Sequence, residues 1–244
     1  MINYRKTALS VGVLYIIGTV AGILSVAVSG PVRAEAYLAS IAAKPNPIII
    51  AALFVLLMGL ALALVPILLY PLLRKYNEVL AMGYVVFRGA LETALYIGMT
   101  VGWLVLIVLS QEYVKAGAQS ASYFQTLGTL LLASNESLNT ILIIVFSLNA
   151  LMLYTVFYQS KLIPRWISVW GFIAILLHLT TAFLLVFSVV ESTISPVLMV
   201  FNLLILVQEM VMAVWLIVKG FNPQTISALS AKQIRSLTAQ SWGS

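Results

Sequence analysis

Six long apolar segments alternate with short polar connections along the 244-residue chain. Each has about 20 residues, enough for an α-helix to cross a hydrocarbon core about 30 Å thick. The runs are continuous and do not alternate in polarity, so they predict helices rather than the strands of a membrane barrel. The segments comprise residues 7–28, 48–69, 82–109, 138–157, 167–189 and 196–218.

The composition supports a membrane protein, because 62% of the residues are hydrophobic and only 8% are charged. A soluble domain carries about 25% charged residues. The first segment follows Arg5 and Lys6 as in a signal peptide, but it exceeds the roughly 7–15 apolar residues of such a peptide. We therefore expect a retained anchor and an all-α integral membrane bundle of six transmembrane helices over residues 1–221. A cytoplasmic polar tail is predicted over residues 222–244.

The Lys and Arg residues between the segments predict the orientation of the bundle. Cytoplasmic loops are enriched in these residues, and nine fall on one side of the segments against three on the other. The first side has Arg5, Lys6, Arg74, Lys75, Lys161, Arg165, Lys219, Lys232 and Arg235, and the other has Arg33, Lys44 and Lys115. Both termini are therefore predicted to be cytoplasmic.

Two connections on the predicted outer side are longer than a tight turn. Residues 31–47 are rich in Ala and close with the helix-breaking sequence Pro45-Asn46-Pro47. Residues 111–137 carry apolar side chains at helical spacing, including Tyr123 and Leu127. We expect short interfacial helices in these outside loops. For the second loop, an ordered segment packed over the helix ends is the alternative.

Polar side chains inside the apolar segments need a reason, because an ionisable group at the centre of a membrane helix costs at least about 2.5–3.5 kcal/mol. Counted from the cytoplasmic ends at 1.5 Å per residue, four of them, on four helices, lie at a common depth of roughly 15–18 Å (Glu92, Asn149, His178 and Glu209), and Arg88 lies roughly 9 Å deep. We expect these groups to face one another near the midplane. They are Arg88, Glu92 and Tyr96 in the third segment, Asn149 in the fourth, His178 in the fifth, and Asn202 and Glu209 in the sixth.

The spacing of these residues predicts specific contacts. Arg88 and Glu92 are four residues apart and are expected to pair along one helix face. Asn202 and Glu209 are seven apart and share a face of the sixth helix. Glu209 has no partner within its own helix, so we expect it to contact Arg88 across the bundle. The Arg88–Glu92 pair either stabilises helix packing alone or belongs to a functional cavity.

His178 has three interpretations: a proton relay, a metal ligand, or a structural imidazole bonded near Thr181. One His with two carboxylates resembles an iron site, but Arg88 would compete for those carboxylates, so no metal site is predicted. The chain lacks Cys and Asp, and it contains no nucleophile elbow, zinc-protease motif or phosphate loop. We therefore assign no catalytic residue and no cofactor, and the sequence favours a protein that is not an enzyme.

The predicted partners are the lipid bilayer and a small polar ligand or ion. The net charge of +6 does not indicate nucleic-acid binding, because the Lys and Arg residues lie at segment ends and form no patch. The sequence does not indicate an oligomeric state.

Three functions are compatible with these features. In the first, a site among spans three to six binds or passes a small polar solute, an ion or a proton. Glu92 and Glu209 would switch charge there, with Arg88 as counter-ion and His178 as relay. In the second, the protein is a membrane binding or assembly component whose polar layer only holds the helices together. The third and weakest is an intramembrane enzyme acting on lipids.

Two short sequences resemble a bacterial membrane family catalogued as domain of unknown function 4386. They are Arg-Gly-Ala-Leu-Glu over residues 88–92 and Trp-Leu-Ile-Val-Lys-Gly-Phe-Asn over residues 215–222. The N-terminal anchor and the six-span layout are also similar, so the resemblance covers essentially the whole chain. It implies a six-helix fold and a bacterial inner-membrane location, and it implies no activity.

Overall fold

The computed structural model describes residues 3–30, 36–117, 120–189 and 196–229, and the regular structure within these ranges is helical. Eight labelled α-helices and a further short helical stretch over residues 223–229 occur there, and one π-helical segment joins α4 to α5 without a break. The helices are α1 Tyr4–Ser29, α2 Tyr37–Ala43, α3 Asn46–Leu73, α4 Glu78–Tyr84, the π segment Val85–Leu91, α5 Glu92–Ala116, α6 Ala121–Ser160, α7 Arg165–Val186 and α8 Pro196–Val218.

Six helices are long and apolar enough to cross a membrane, which confirms the predicted number of spans. They are α1, α3, the continuous helix formed by α4, the π segment and α5, and then α6, α7 and α8. In hydrocarbon every backbone N–H and C=O group must be bonded within the protein, and a helix achieves this within one segment. The continuous apolar runs therefore dictate this architecture.

The six spans form a closed ring in chain order. Each span packs against the next one in sequence, and α8 packs back against α1. Glycine allows the closest approaches, since a Cβ on Gly12 of α1 would lie 2.6 Å from the Ala213 carbonyl oxygen of α8. Similarly, a Cβ on Gly18 would lie 2.7 Å from Leu62 of α3. Small residues of this kind let membrane helices pack tightly.

One end of the ring, called here the basic end, is tied together by contacts of the Lys- and Arg-bearing connections. The Arg5 guanidinium at the start of α1 donates to the Ile217 carbonyl at the end of α8, at 2.6 Å. Gly220, with φ of 74°, ends that helix, and the Asn222 N–H then bonds the Leu162 carbonyl in the turn after α6. Residues 223–229 continue as a short helix against the bundle.

The short helix expected in the first outside loop is present as α2. Its buried residues Leu38 and Ile41 pack in one apolar cluster with Leu106 and Ile107 of α5. Residues 31–35 of this loop lie outside the described residues. The side of the membrane on which α2 lies stays a prediction.

The expectation of a separate interfacial helix in residues 111–137 is wrong. From residue 121 onwards this stretch is the beginning of α6, which runs for 40 residues, about 60 Å at 1.5 Å per residue. Polar residues do not interrupt it, because Thr126 and Ser134 bond the carbonyls four residues back. The apolar residues at helical spacing therefore belong to a span that extends well beyond its membrane-crossing part.

Candidate functional site

A cavity of about 640 Å³ lies inside the helix ring, and all six candidate spans contribute to its wall. The wall is mainly apolar, with polar side chains concentrated towards the middle of the bundle. Between this cavity and the basic end lie the buried side chains of Tyr15, Tyr84 and Tyr154, so the cavity is closed on that side. Its polar lining side chains are Thr19, Arg88, Tyr96, Asn139, His178, Asn202 and Glu209.

Arg88 enters the bundle from the π segment of the third span. The widened turn is visible in the bond from the Glu92 N–H to the carbonyl of Phe87, five residues back. Such π turns occur frequently at functional sites because they insert one extra residue into a helix. The Arg88 side chain is only 1% exposed.

The Arg88 guanidinium contacts two carboxylates on different helices. Its Nη1 lies 3.2 Å from Glu92 Oε2 and 3.1 Å from Oε1. Its Nη2 lies 3.7 Å from Glu209 Oε1 on α8. The predicted pairing along the third helix and the predicted contact across the bundle are both confirmed. These three residues, Arg88, Glu92 and Glu209, are called the charge cluster below.

Aromatic rings flank the guanidinium of the charge cluster. The Arg88 Cζ lies 5.5 Å from the ring centroid of Tyr15 and 5.2 Å from that of Phe146. Aromatic faces attract a cation electrostatically, and more strongly where water is excluded. The rings therefore supply part of the solvation that Arg88 loses on burial.

Glu92 and Glu209 occupy different environments within the charge cluster. Glu92 is 1% exposed and accepts a 2.7 Å hydrogen bond from the Asn149 side-chain amide. Neither Glu92 nor Asn149 lines the cavity, whereas Glu209 does and is 15% exposed. The Tyr96 hydroxyl interacts with Glu92 from the cavity wall. Glu92 thus holds Arg88 on the side away from the cavity, and Glu209 lines the cavity.

Two hydrogen-bond donors of Arg88 have no partner among the described residues. They are Nε and Nη2, both buried, and the 3.7 Å separation of Nη2 from Glu209 is longer than a hydrogen bond. Leaving a buried donor unsatisfied costs about 1–3 kcal/mol. Arg88 thus lines the cavity with a guanidinium of which two donor nitrogens lack a protein partner, and both of these nitrogens are buried.

The neighbouring Gln208 shows the opposite arrangement. Its Oε1 accepts a 2.6 Å bond from the Tyr154 hydroxyl, and its Nε2 donates a 3.0 Å bond to the Ile167 carbonyl. The side chain is fully buried and does not line the cavity. This link joins α6, α7 and α8 with both ends of the amide bonded, which is the pattern of a structural polar contact.

His178 and Asn202 form a separate pair on the same cavity wall. His178 Nδ1 lies 2.9 Å from Asn202 Oδ1, so Nδ1 carries the hydrogen in this arrangement and Nε2 is left as an acceptor. The expected bond near Thr181 is not made, because the Thr181 hydroxyl bonds the Leu177 carbonyl instead. The His178 ring packs edge-on against Phe146, 5.3 Å away.

The predicted site residues therefore divide into two groups that share one wall. Arg88, Glu92, Tyr96, Asn149 and Glu209 come together around the guanidinium, while His178 and Asn202 pair beyond Phe146. Within the described ranges, no group of three His, Cys, Asp or Glu side chains has the geometry for a metal ion.

Sequence reasoning missed several parts of this site. It placed the site among spans three to six, but Gly18 of the first span and Met58 of the second also line the cavity. It also missed the hydroxyl pair of Tyr15 and Tyr84, 3.2 Å apart beneath the charge cluster. A tyrosine in the middle of the first apolar segment was the available signal, because a buried hydroxyl usually has a partner.

These features define a class of protein with six candidate membrane spans, a central cavity and a buried Arg–carboxylate cluster at its closed end. The chain belongs to the family described as Domain of unknown function (DUF4386), whose model matches residues 10–220. The match extends from the first candidate span to the end of the last and confirms the resemblance noted in the sequence. No curated protein and no solved structure matches the chain.

The first testable consequence concerns the stability of the charge cluster. Arg88→Leu should lower the free energy of unfolding by about 3–5 kcal/mol, because it leaves Glu92 buried without a cation. The double variant Arg88→Leu/Glu92→Leu should lose less, since it removes both members of that pair. Unfolding in one detergent, followed by circular dichroism, measures both.

Lys115→Leu is the matched control, because Lys115 pairs with Glu112 but is 70% exposed. An exposed pair of this kind contributes only about 0–1 kcal/mol. A loss in Arg88→Leu no larger than that of the control would contradict the proposed role of burial.

Proposed function

We propose that this protein is an intramembrane binding protein that takes up a small polar solute, an ion or a proton at the charge cluster. The observation that carries this proposal is that two members of the charge cluster, Arg88 and Glu209, line a 640 Å³ cavity, and that Arg88 has two buried donor nitrogens without a protein partner. Polar groups inside membrane bundles usually mark the path or the site of a ligand. Gln208, next to Glu209 in α8, has both ends of its side-chain amide hydrogen-bonded. That is the pattern of a structural contact, and Arg88 does not share it.

The charge balance of the cluster defines which residue responds to a ligand. Two carboxyl groups face one guanidinium, so one negative charge is left over when both are ionised. An uncompensated charge in the bundle interior is costly, and a proton, a cation or a hydrogen-bond donor removes the imbalance. Glu209 borders the cavity and Glu92 does not, so we assign the change of charge to Glu209 and a fixed counter-ion role to Glu92.

A purely structural role is the second candidate, and the burial of Arg88 and Glu92, each 1% exposed, favours it. In that case the cluster holds the third, fourth and sixth spans in register and takes no ligand. The enzyme hypothesis gains no support, because the bonded partner of His178 is the amide of Asn202 rather than a carboxylate.

Replacing Glu209 by Gln tests the binding proposal. Infrared difference spectra of the protein in nanodiscs, recorded between alkaline and acidic buffer, should show one buried carboxyl group becoming protonated. The corresponding C=O stretching band should be absent in Glu209→Gln and present in Glu112→Gln, since Glu112 is 51% exposed and outside the cluster. A band unchanged in a folded Glu209→Gln protein would exclude Glu209 as the charge-switching group.

We also propose that both termini are cytoplasmic and that the protein resides in a bacterial inner membrane. The location rests on the family resemblance. The orientation rests on the positive-inside rule and on contacts that gather the basic connections at one end of the ring. Arg5 bonds the end of α8, and the Lys75 ammonium donates to the Tyr4 hydroxyl at 3.2 Å.

The chain contains no Cys, so single cysteines can report its orientation directly. In intact cells a membrane-impermeant maleimide should label Lys115→Cys, and it should label Lys6→Cys only after lysis. The reverse pattern would contradict the proposed orientation.

A further inference from the structure

We infer that the ligand of this site is a single-chain amphiphile, with one alkyl chain and a small uncharged head that both accepts and donates hydrogen bonds. A long-chain alcohol or a protonated fatty acid has this chemistry. The inference rests on the proposed binding site at the charge cluster, and it replaces the small polar solute named there with a molecule that also carries an alkyl chain.

The polar end of the cavity defines the head group. Arg88 lines this end of the cavity as a buried cation, so an acceptor oxygen on the head is attracted to it. Glu209 lines the same space as an acceptor, and the Nε2 of His178 is the acceptor left by the bond to Asn202. A hydroxyl or carboxyl group satisfies both kinds of partner at once.

The remaining wall of the cavity is apolar and extends away from the basic end. On α1 it runs from Gly18 to Ala27, a distance of about 14 Å at 1.5 Å per residue. Ile143 of α6 faces it across the ring, and Ile205 and Leu206 of the neighbouring α8 continue the wall. A small polar solute would occupy only the charge cluster and leave this wall without an apolar partner. An alkyl chain contacts it along its whole length.

Two side chains of the cavity wall are also exposed on the surface of the bundle. Ile23 and Val26 of α1 line the cavity and are also 54% and 75% exposed. On a membrane-spanning helix, exposed apolar side chains face hydrocarbon. An amphiphile can therefore enter from the bilayer with its chain in contact with apolar surface throughout.

Charge excludes a phospholipid head from the same position. The charge cluster already has two carboxyl groups for one guanidinium, so a phosphodiester would add a further negative charge in a region of low dielectric. A small head with no net charge avoids this cost.

The test uses the full chain in phospholipid nanodiscs and a long-chain fatty alcohol that carries a diazirine at the end of its chain. Irradiation followed by peptide mass spectrometry should place the adducts on the cavity walls of α1 and α8. Two further probes with the same chain serve as comparisons at the same mole fraction. The methyl ether accepts but cannot donate, and the alkane does neither. Capture should fall in the order alcohol, ether, alkane.

A matched pair of variants separates capture in the cavity from capture on the outer surface. Ile205→Trp fills the space one turn from Glu209, at a side chain that is 5% exposed. Leu203→Trp adds the same ring on the outer face, where the side chain is 56% exposed. Capture should fall about tenfold in the first variant relative to the second, equivalent to about 1.4 kcal/mol.

The outcomes distinguish this inference from the proposed function. Equal capture of alcohol and alkane, or equal capture by both Trp variants, overturns the inference. If the inference is overturned in this way but Glu209→Gln still removes the infrared carboxyl band, the proposed function stands without the inference. A phospholipid bearing the same diazirine that labels the same peptides equally well would also overturn it, in favour of a two-chain lipid. A fatty acid with the same diazirine-bearing chain should be captured at acidic pH and much less at alkaline pH, and equal capture at both would overturn the requirement for an uncharged head.

Discussion

Burying one guanidinium in the middle of a hydrophobic bundle is the constraint on which the rest of this structure depends. Arg88 is 1% exposed, and a charge at that depth is tolerated only with partners of opposite charge or a polar cavity. The third span provides Glu92, the fourth provides the Asn149 amide that holds Glu92, and the sixth provides Glu209. The first and fourth add aromatic rings. The cluster therefore links four of the six candidate spans.

The same constraint distinguishes two kinds of buried polar group in this protein. Gln208 has both ends of its amide bonded and lies away from the cavity, so it stabilises the contact between helices. Arg88 lines the cavity and has two buried donor nitrogens without a protein partner. Because an unsatisfied buried donor is costly, its position beside a cavity is more easily explained by a ligand than by packing. The difference between these residues is the physical basis for assigning a binding role to one and a structural role to the other.

Much of this arrangement could be predicted because hydrocarbon permits few alternatives. Continuous apolar runs predicted the six spans, and the lack of a partner for Glu209 within its own helix predicted its contact with Arg88. The length of α6 could not be predicted in the same way. Helical periodicity continues unchanged outside the membrane, so it does not show whether a flanking helix is separate from the span or continuous with it. The π segment left no mark on the apolar pattern. The partner of His178 depended on the rotation of α8, so the bond to Asn202 replaced the expected bond near Thr181.

The central claim is that the unused donors of Arg88 are completed by a bound molecule. A high-resolution cryo-electron microscopy map of the protein in native-lipid nanodiscs examines this most directly. The account predicts non-protein density within hydrogen-bond distance of Arg88 Nη2, continuous with elongated density along the apolar wall beside Ile205. A dry, collapsed cavity in which protein side chains satisfy Arg88 Nε and Nη2 would contradict it.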